Sequence, residues 1–481
     1  MWGVALSVVI ALVVVKITLW FYRWANPECS SGKLPPGSMG FPMIGETIEF
    51  FKPHSFYEIP PFIKKGMSRY GSLFRTSILG SKTIVSTDPE VNFEIFKQEN
   101  RCFVMSYPEI ILRIFGKDNL FFKQGMEFHK YIRHIALQLL GPECLKRRFI
   151  HEINLTTHEH LKTDSSRGVL DVKDTAARLI LGHMIQMVIS DIKSDIKSKI
   201  ILNLRKISLE ALRSPFDLSI WKGLYNCLMA RRNVTKMLKD MFKKRREEAS
   251  SDGLRYGDFM ETMVDEVEKE GDKVNEERAV ELILDILIGS SDTTSTIIGI
   301  TVKFIAENPK VLRELKREHE TILTNKDDKE CGITWKEYKS MMNFTHMVIN
   351  ESLRLATLAP TIFRKAVSNV EIKGYTIPAG WIVVVAPSVL HYDPQIYENP
   401  CEFNPWRWEG KELLSGSKTF MAFGGGARLC AGAEFARLQI AIFIHHLVTN
   451  YDFSLIDNHD IIRAPVLRFS KPIRITISGT H

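Results

Sequence analysis

The chain has 481 residues, 45% of them hydrophobic and 25% charged, with a formal net charge of +8. That is ordinary globular composition, long enough to enclose a large core with a cofactor inside it. The basic excess is mild and forms no stripe interleaved with aromatics, so no nucleic-acid partner is expected.

Residues Trp2 to Tyr22 read WGVALSVVIALVVVKITLWFY, with Lys16 as the single charge. As a helix this stretch spans roughly 31 Å, enough to cross a bilayer. Lys16 can snorkel to the interface, and Trp20, Phe21, Tyr22 and Trp24 form an aromatic belt. Lys16 and Arg23 lie on the C-terminal side, which puts the rest of the chain in the cytosol. A cleaved signal peptide wants its basic residues first and a small-residue cleavage site, and neither is present. Residues 1–24 are therefore read as a membrane anchor.

The segment 25–46 contains LPPGSMGFPMIGE, whose prolines and glycines forbid a helix and predict a stiff hinge. Residues 47–481 read as one body with no internal repeat and no linker. SLFRTSILGSKTIVSTDPE predicts two short strands around a Gly-Ser turn. From Pro89 to about Glu318 the apolar spacing is helical. Strand patterns return at 370–387 and 463–478. The fold class expected is mainly α with small β-sheets. The run Lys243-Lys244-Arg245-Arg246, followed by Glu247 and Glu248, reads as a solvated helix face or as a docking patch for an acidic redox protein or anionic lipid.

Seven cysteines, at 29, 102, 144, 227, 331, 401 and 430, are odd in number and have no C-x-x-C spacing. They argue against a disulfide framework or a zinc site. Cys430 stands apart, in FGGGARLCAG just before the helical pattern AEFARLQIAIFIHHLV. Three glycines allow a tight turn and close approach to a flat ligand. A helix N-terminus and nearby Arg428 favour an ionised sulfur. On these residues alone other readings stay open. A glycine turn before a helix can cradle phosphate, although the Lys and hydroxyl of a P-loop are missing. A cysteine after glycines is also often structural.

Phe423, Gly426, Arg428, Cys430 and Gly432 match F-x-x-G-x-R-x-C-x-G in full, and through it the chain resembles the cytochromes P-450. The resemblance runs from about Leu34 to Ile477. It implies the cytochrome P-450 fold as a single large haem-binding domain behind a transmembrane helix. It also implies haem b with Cys430 as axial iron ligand, Phe423 packed near the sulfur and Arg428 on a haem propionate. Glu351 and Arg354, an ordinary i, i+3 pair when read alone, resemble the family's E-x-x-R. Arg407 in Phe403-Asn-Pro405-Trp-Arg407 would be its third member, locking the cysteine loop. Gly289 to Thr294, GSSDTT, resembles the oxygen-groove motif [AG]-G-x-[DE]-T-[TS], with Ser290 in place of a glycine. Asp292 and Thr293 would relay protons to bound oxygen; read alone, the patch only weakens a helix. His129 stands where the family often has Trp in W-x-x-x-R, with Arg133 on the same helix face. These two, and Arg364 in TIFRKA, resemble propionate ligands.

The strings FMAFGGGARLCAGAEFARLQ and EFNPWRW are similar to plant triterpenoid- and sterol-oxidising members, thalianol hydroxylases in particular. The resemblance implies a monooxygenase acting on a lipophilic substrate with O2. Electrons would come from NADPH through the membrane-bound NADPH–cytochrome P-450 reductase, at a single-pass site in the endoplasmic reticulum. The substrate pocket would include Ile114, Phe115, Phe121, Leu284, Ile288, Leu358, Ile362 and Leu467, each of which is as readily a plain core residue. Two rivals are a peroxide isomerase or dehydratase, which needs no proton relay, and a haem or sterol carrier without turnover. The presence of Asp292, Thr293 and Cys430 counts against both.

Overall fold

The structure is a computed structural model, and it describes residues 2–29, 31–116, 119, 125–207, 219–251, 255–269, 274–326, 332–411, 417–456 and 460–479. Phe121 and Cys331 lie outside the described residues. The apolar N-terminal run forms the helix Trp2–Ala25, long and apolar enough to cross a membrane, and its described side chains are exposed from Trp2 to Arg23.

The segment expected as a hinge is fastened to the body over its second half. Arg75 Nη1 donates to Pro35 O at 3.0 Å, and bridges join Gly37 to Arg75 and Gly45 to Ile78. A Cβ on Gly37 would lie 2.0 Å from Arg75 O, so only glycine allows this approach. The Trp24 indole donates to Gly40 O at 3.2 Å, tying the end of the N-terminal helix to the same loop.

The early strands and the end of the 370–387 stretch share one sheet, while Val370–Ile372 and Tyr375–Ile377 pair by themselves and the strands of 463–478 join other sheets. The shared sheet has the order Leu73–Ile78, Ser81–Ser86, Ile382–Val385, Ile362–Ala366 and Phe103–Met105. Ser81–Ser86 runs parallel to Ile382–Val385, and the other pairs are antiparallel. A three-stranded sheet joins His54–Ser55 to the late hairpin Ile461–Arg463 and Leu467–Phe469.

The helix Glu276–Glu307 runs through the middle of the protein. Asn275 caps it, accepting from the Arg278 N–H at 3.0 Å. It is apolar almost all round, so it is buried almost all round. Its neighbours are the helices Val172–Val188, Ser219–Ser251, Asn343–Ala356 and Ala433–Asn450. The two acids inside its apolar run have partners: Glu281 pairs with Arg231, and Asp285 accepts from Asn119 Nδ2 at 2.6 Å.

The basic run on Ser219–Ser251 is an exposed helix face at Lys243, Lys244 and Arg246, as the solvated reading expects, and only Arg245 turns inward. Arg245 is buried against Asp258 at 2.8 Å, Arg246 holds Glu268 at 2.6 Å, and Lys244 holds Glu248 at 3.1 Å. The first is a buried link to the segment before the helix Phe259–Glu268; the other two are surface pairs, one of them within the helix itself. The described cysteines are all free thiols, in line with their odd number and spacing.

Candidate functional site

The loop before the helix Ala433–Asn450 is closed by its own backbone. The Cys430 N–H donates to Phe423 O at 3.0 Å, and the Leu429 N–H to Gly426 O at 3.2 Å. The glycines serve this closure and a neighbour, not only a flat ligand. At Gly426 φ is +66°, and a Cβ there would lie 2.7 Å from Phe96 O. A Cβ at Gly425 would lie 2.8 Å from the Phe96 ring. Phe96 belongs to the helix Pro89–Lys97, so the glycines let the loop settle onto that helix.

The helix Met126–Leu140 grips the loop from another side. His129 Nε2 lies 3.1 Å from Ala427 O, and Arg133 Nη1 donates to Leu429 O. Burial, and then the Arg428 charge, bring the His129 pKa down to about 4, so the ring is neutral near pH 7. Burial pushes the Cys430 thiol up, opposed by the Gly432 N–H and the Arg133 guanidinium. The cation acting on the sulfur is thus Arg133, whereas the sequence pointed to Arg428. A coordinated metal would deprotonate the thiol outright.

Arg428 instead faces Glu99 Oε1 at 3.6 Å, and Arg364 Nε donates to Glu99 Oε2. Glu99 is 2% exposed. Sequence reading missed it: an acid in KQENR carries no pattern that separates it from a surface residue.

The third hold is the cluster around Glu351, whose side chain has no exposed surface. Arg354 donates to both of its oxygens, Nε to Oε2 at 2.9 Å and Nη2 to Oε1 at 2.7 Å. Arg407 Nε donates to Oε1 at 2.9 Å. Sequence reading missed two further donors, the Trp408 indole to Oε2 at 2.9 Å and the Asn404 N–H to Oε1 at 3.1 Å. Arg354 Nη1 also reaches His391 O at 2.5 Å and Pro400 O at 2.7 Å. One carboxylate therefore gathers the helix Asn343–Ala356 and the turn Pro405–Trp408, and its arginines tie in the segment 391–402.

On the central helix, Thr293 Oγ1 donates to Gly289 O at 2.8 Å and Ser290 Oγ to Leu287 O at 3.1 Å. Ser290 thus turns its hydroxyl onto its own helix, which continues unbroken from Glu276 to Glu307. Asp292 is held by Lys173 at 3.3 Å, another residue the sequence did not single out. A cavity of about 30 Å³ lies between Lys173, Asp292, Thr293 and Thr296 on one side and Leu358, Val466 and Leu467 on the other. It has room for a water. Lys173 and Asp292 also line an outer cavity of about 400 Å³. Ile114, Leu284 and Ile288 are buried in the main core, with Phe115 packed on it. Ile362 is buried in a second core with Phe96 and Met421.

The residues around Cys430 suit a flat, doubly charged metal macrocycle. Cys430 lies deep in the molecule, yet its own surface is open. The two observations agree if the sulfur faces an interior space and not the outer surface. Gly289 is likewise exposed in the middle of a buried helix, and a Cβ on it or on Gly432 would meet nothing within 4 Å. His129 Nδ1 is buried and has no hydrogen-bond partner among the described residues. Among the described residues Arg364 and Arg428 share the carboxylate of Glu99 while Arg133 reaches Leu429 O, three cations around one carboxylate. The two propionates of a haem would complement them.

A deep cysteine on a gripped loop, with cations beside it to meet two carboxylates, fits a haem-thiolate protein. The cytochrome P450 family model matches residues 35–476, and the chain belongs to that family of monooxygenases. It is 52% identical over 477 residues to cytochrome P450 708A2 of Arabidopsis thaliana, covering 99% of this chain and 98% of that one. It is 34% identical to β-amyrin 16-α-hydroxylase CYP87D16 of Maesa lanceolata, over 99% of both chains. The retinoic-acid-bound cyanobacterial CYP120A1 shares the fold with a TM-score of 0.78 at 20% identity, over 94% of this chain and 100% of that one. Family membership implies a haem held by a cysteine thiolate, a redox partner and a lipophilic substrate.

Proposed function

We propose that this chain hydroxylates an unactivated C–H bond of a triterpenoid or sterol-like scaffold, with Cys430 as the thiolate that would hold haem b. O2 is the co-substrate, and the electrons come from NADPH through NADPH–cytochrome P450 reductase. The observation that carries the reading is the Cys430 loop, held by His129 and Arg133 on one helix and seated on Phe96 of another. The choice of scaffold rests on similarity to a β-amyrin hydroxylase and to plant relatives across nearly the whole chain. The helix Trp2–Ala25 crosses the endoplasmic reticulum membrane once, with the catalytic body from about residue 47 in the cytosol, as its basic C-terminal side favours.

When bound, the haem supplies oxygen activation, and a thiolate ligand favours O–O cleavage. The protein's share is to position the sulfur and to deliver protons. The Glu351 cluster keeps the segment leading to the loop rigid. Arg364, Arg428 and His129 would hold the propionate side of a haem. Asp292 stands between the outer and inner cavities, where it can pass a proton inward to Thr293. Thr293 Oγ1 gives its own proton to Gly289 O in the resting structure, and it can redirect that proton when its lone pair accepts another. Leu358 and Leu467 keep the inner cavity apolar on the substrate side.

The reading is tested by reducing the purified protein with dithionite, adding carbon monoxide and recording the difference spectrum. The expected result is a thiolate-type Soret band, absent in Cys430→Ala, and conversion of a triterpene when reductase and NADPH are added. A well-folded wild type with no haem signal, or a Cys430→Ala variant that retains the band, sinks it. Thr293→Ala should slow product formation by on the order of 10²-fold while NADPH consumption continues. A product-to-NADPH ratio equal to the wild type would mean that protons arrive by another route.

A further inference from the structure

The segment that leaves the N-terminal helix does not run free. The helix ends at Ala25, and the Trp24 indole is tied to Gly40 O at 3.2 Å. The Thr376 N–H donates to Lys33 O at 2.8 Å, and the Arg75 N–H to Pro36 O at 2.8 Å. A Cβ on Gly32 would lie 2.1 Å from Thr376 Oγ1, so the segment passes hard against the hairpin of Val370–Ile372 and Tyr375–Ile377. A crevice of about 390 Å³ remains here, and Pro27, Cys29, Lys33, Pro36, Arg75 and Tyr375 are among its walls.

The lining holds two cations and no acid. Cations elsewhere on the protein find carboxylates, as Arg245 finds Asp258 and Lys373 finds Asp88. Lys33 and Arg75 have no carboxylate partner among the described residues. Lys33 is exposed, with Nζ 5.7 Å from the centre of the Tyr375 ring. Arg75 is half-buried and spends an N–H on Pro35 O at 3.0 Å. A partly desolvated guanidinium without a counter-charge is unfavourable, and a bound anion would offset that.

The place of the crevice along the chain says which anion. Pro27 is two residues beyond the end of the helix, a reach of no more than roughly 7 Å. Trp20, Phe21, Tyr22 and Trp24 set the membrane interface just before it. The crevice therefore opens at the level of the lipid headgroups, outside the hydrocarbon.

We propose that this crevice binds the headgroup of an anionic phospholipid, with Lys33 and Arg75 holding its phosphate where the chain leaves the bilayer. The inference rests on the reading of Trp2–Ala25 as a membrane anchor and adds a lipid site on the catalytic body. A guanidinium offers paired N–H groups to phosphate oxygens, and an ammonium adds a point charge. Tyr375 brings a hydroxyl that can donate as well. Two cations without an acid favour a net negative headgroup over a zwitterionic one, whose own ammonium they repel.

The experiment uses the haem-loaded full chain in phosphatidylcholine nanodiscs doped with phosphatidic acid. The lipids retained by the released protein are counted by native mass spectrometry. The expected result is retention of phosphatidic acid in preference to phosphatidylcholine. Lys33→Gln should weaken it about fivefold, and Lys33→Gln with Arg75→Gln roughly 25-fold. Lys310→Gln with Arg313→Gln, the same change of charge at exposed positions of the helix Pro309–Thr324, should leave it as in the wild type. Lys33 is exposed and is held through its backbone, so its variant tests the site even if Arg75→Gln loosens the linker. No preference for phosphatidic acid, unchanged retention in Lys33→Gln, or equal loss in the two double variants overturns the proposal. Displacement of the lipid by inorganic phosphate, with chloride at the same ionic strength leaving it bound, would mark a free-phosphate site and overturn the lipid assignment. A folded chain that stays out of the nanodiscs removes the anchor and this site with it. One that enters them and is indifferent to the headgroup removes the site alone.

Discussion

Replacing Glu351 with alanine should leave a protein that neither holds haem nor unfolds at its native midpoint. The carboxylate receives five hydrogen bonds, from Arg354 twice, Arg407, Trp408 and the Asn404 backbone. Its removal strands two guanidiniums, of which Arg354 has no exposed surface and Arg407 is 8% exposed. Breaking a buried ion pair from one side costs about 3–5 kcal/mol, because the remaining charge stays desolvated. Arg354 keeps its bonds to His391 O and Pro400 O, so some of the local structure persists. Trp408→Phe is the graded control. It removes one donor and keeps the ring packing, at about 1–3 kcal/mol. Urea midpoints and the carbon monoxide band per mole of protein check both variants. A Glu351→Ala protein with wild-type midpoint and haem content would show that the cluster is incidental.

Replacing Arg463 with methionine should be nearly as damaging, though no carboxylate faces this residue among the described hydrogen bonds. Arg463 has no exposed surface and donates to four backbone carbonyls: Phe56 O at 3.2 Å, Thr357 O at 3.1 Å, Leu355 O at 2.9 Å and Ala356 O at 2.5 Å. Three of these carbonyls lie at the C-terminal end of the helix Asn343–Ala356, where the last carbonyls lack partners within the helix and the dipole is negative. The guanidinium is therefore a C-terminal cap supplied from another part of the chain. Methionine fills the volume, and the Tyr392 hydroxyl still reaches Phe56 O and Leu355 O, but Ala356 O and Thr357 O lose this donor at about 1–3 kcal/mol each, so a loss of about 2 kcal/mol or more is expected. The hairpin that carries Arg463 also carries Leu467 on the inner cavity. Faster amide exchange at Leu355 to Thr357 should accompany a lower midpoint. An unchanged midpoint would mean that water replaces the guanidinium at no cost.

Much of the chemistry was legible because it depends on local spacing. Glu351 and Arg354 share a helix face at i, i+3, and His129 and Arg133 at i, i+4, whatever surrounds them. The glycines around Cys430 announce a tight turn before a helix, and the apolar run at Trp2–Tyr22 announces its own length. Period and residue type are properties of the chain itself, so helices such as Glu276–Glu307 and strands such as Leu73–Ile78 fell where expected.

What only the tertiary structure decided involves partners distant along the chain. Arg428 was identifiable as a cation near the cysteine, but the folded protein gives the sulfur Arg133 and gives Arg428 to Glu99. Lys173 meets Asp292, Arg463 caps a helix more than a hundred residues before it, and early and late strands share one sheet. Within the run at 243–246, only the fold could say that Arg245 turns inward onto Asp258 while its neighbours stay exposed. A charged side chain satisfies its electrostatics with whatever the fold brings within a few ångströms, and sequence neighbours do not reveal that. The sequence by itself determined the family and the helical frame; the tertiary structure decided which charges meet, because desolvation makes each buried charge find a partner and only packing says which one is near.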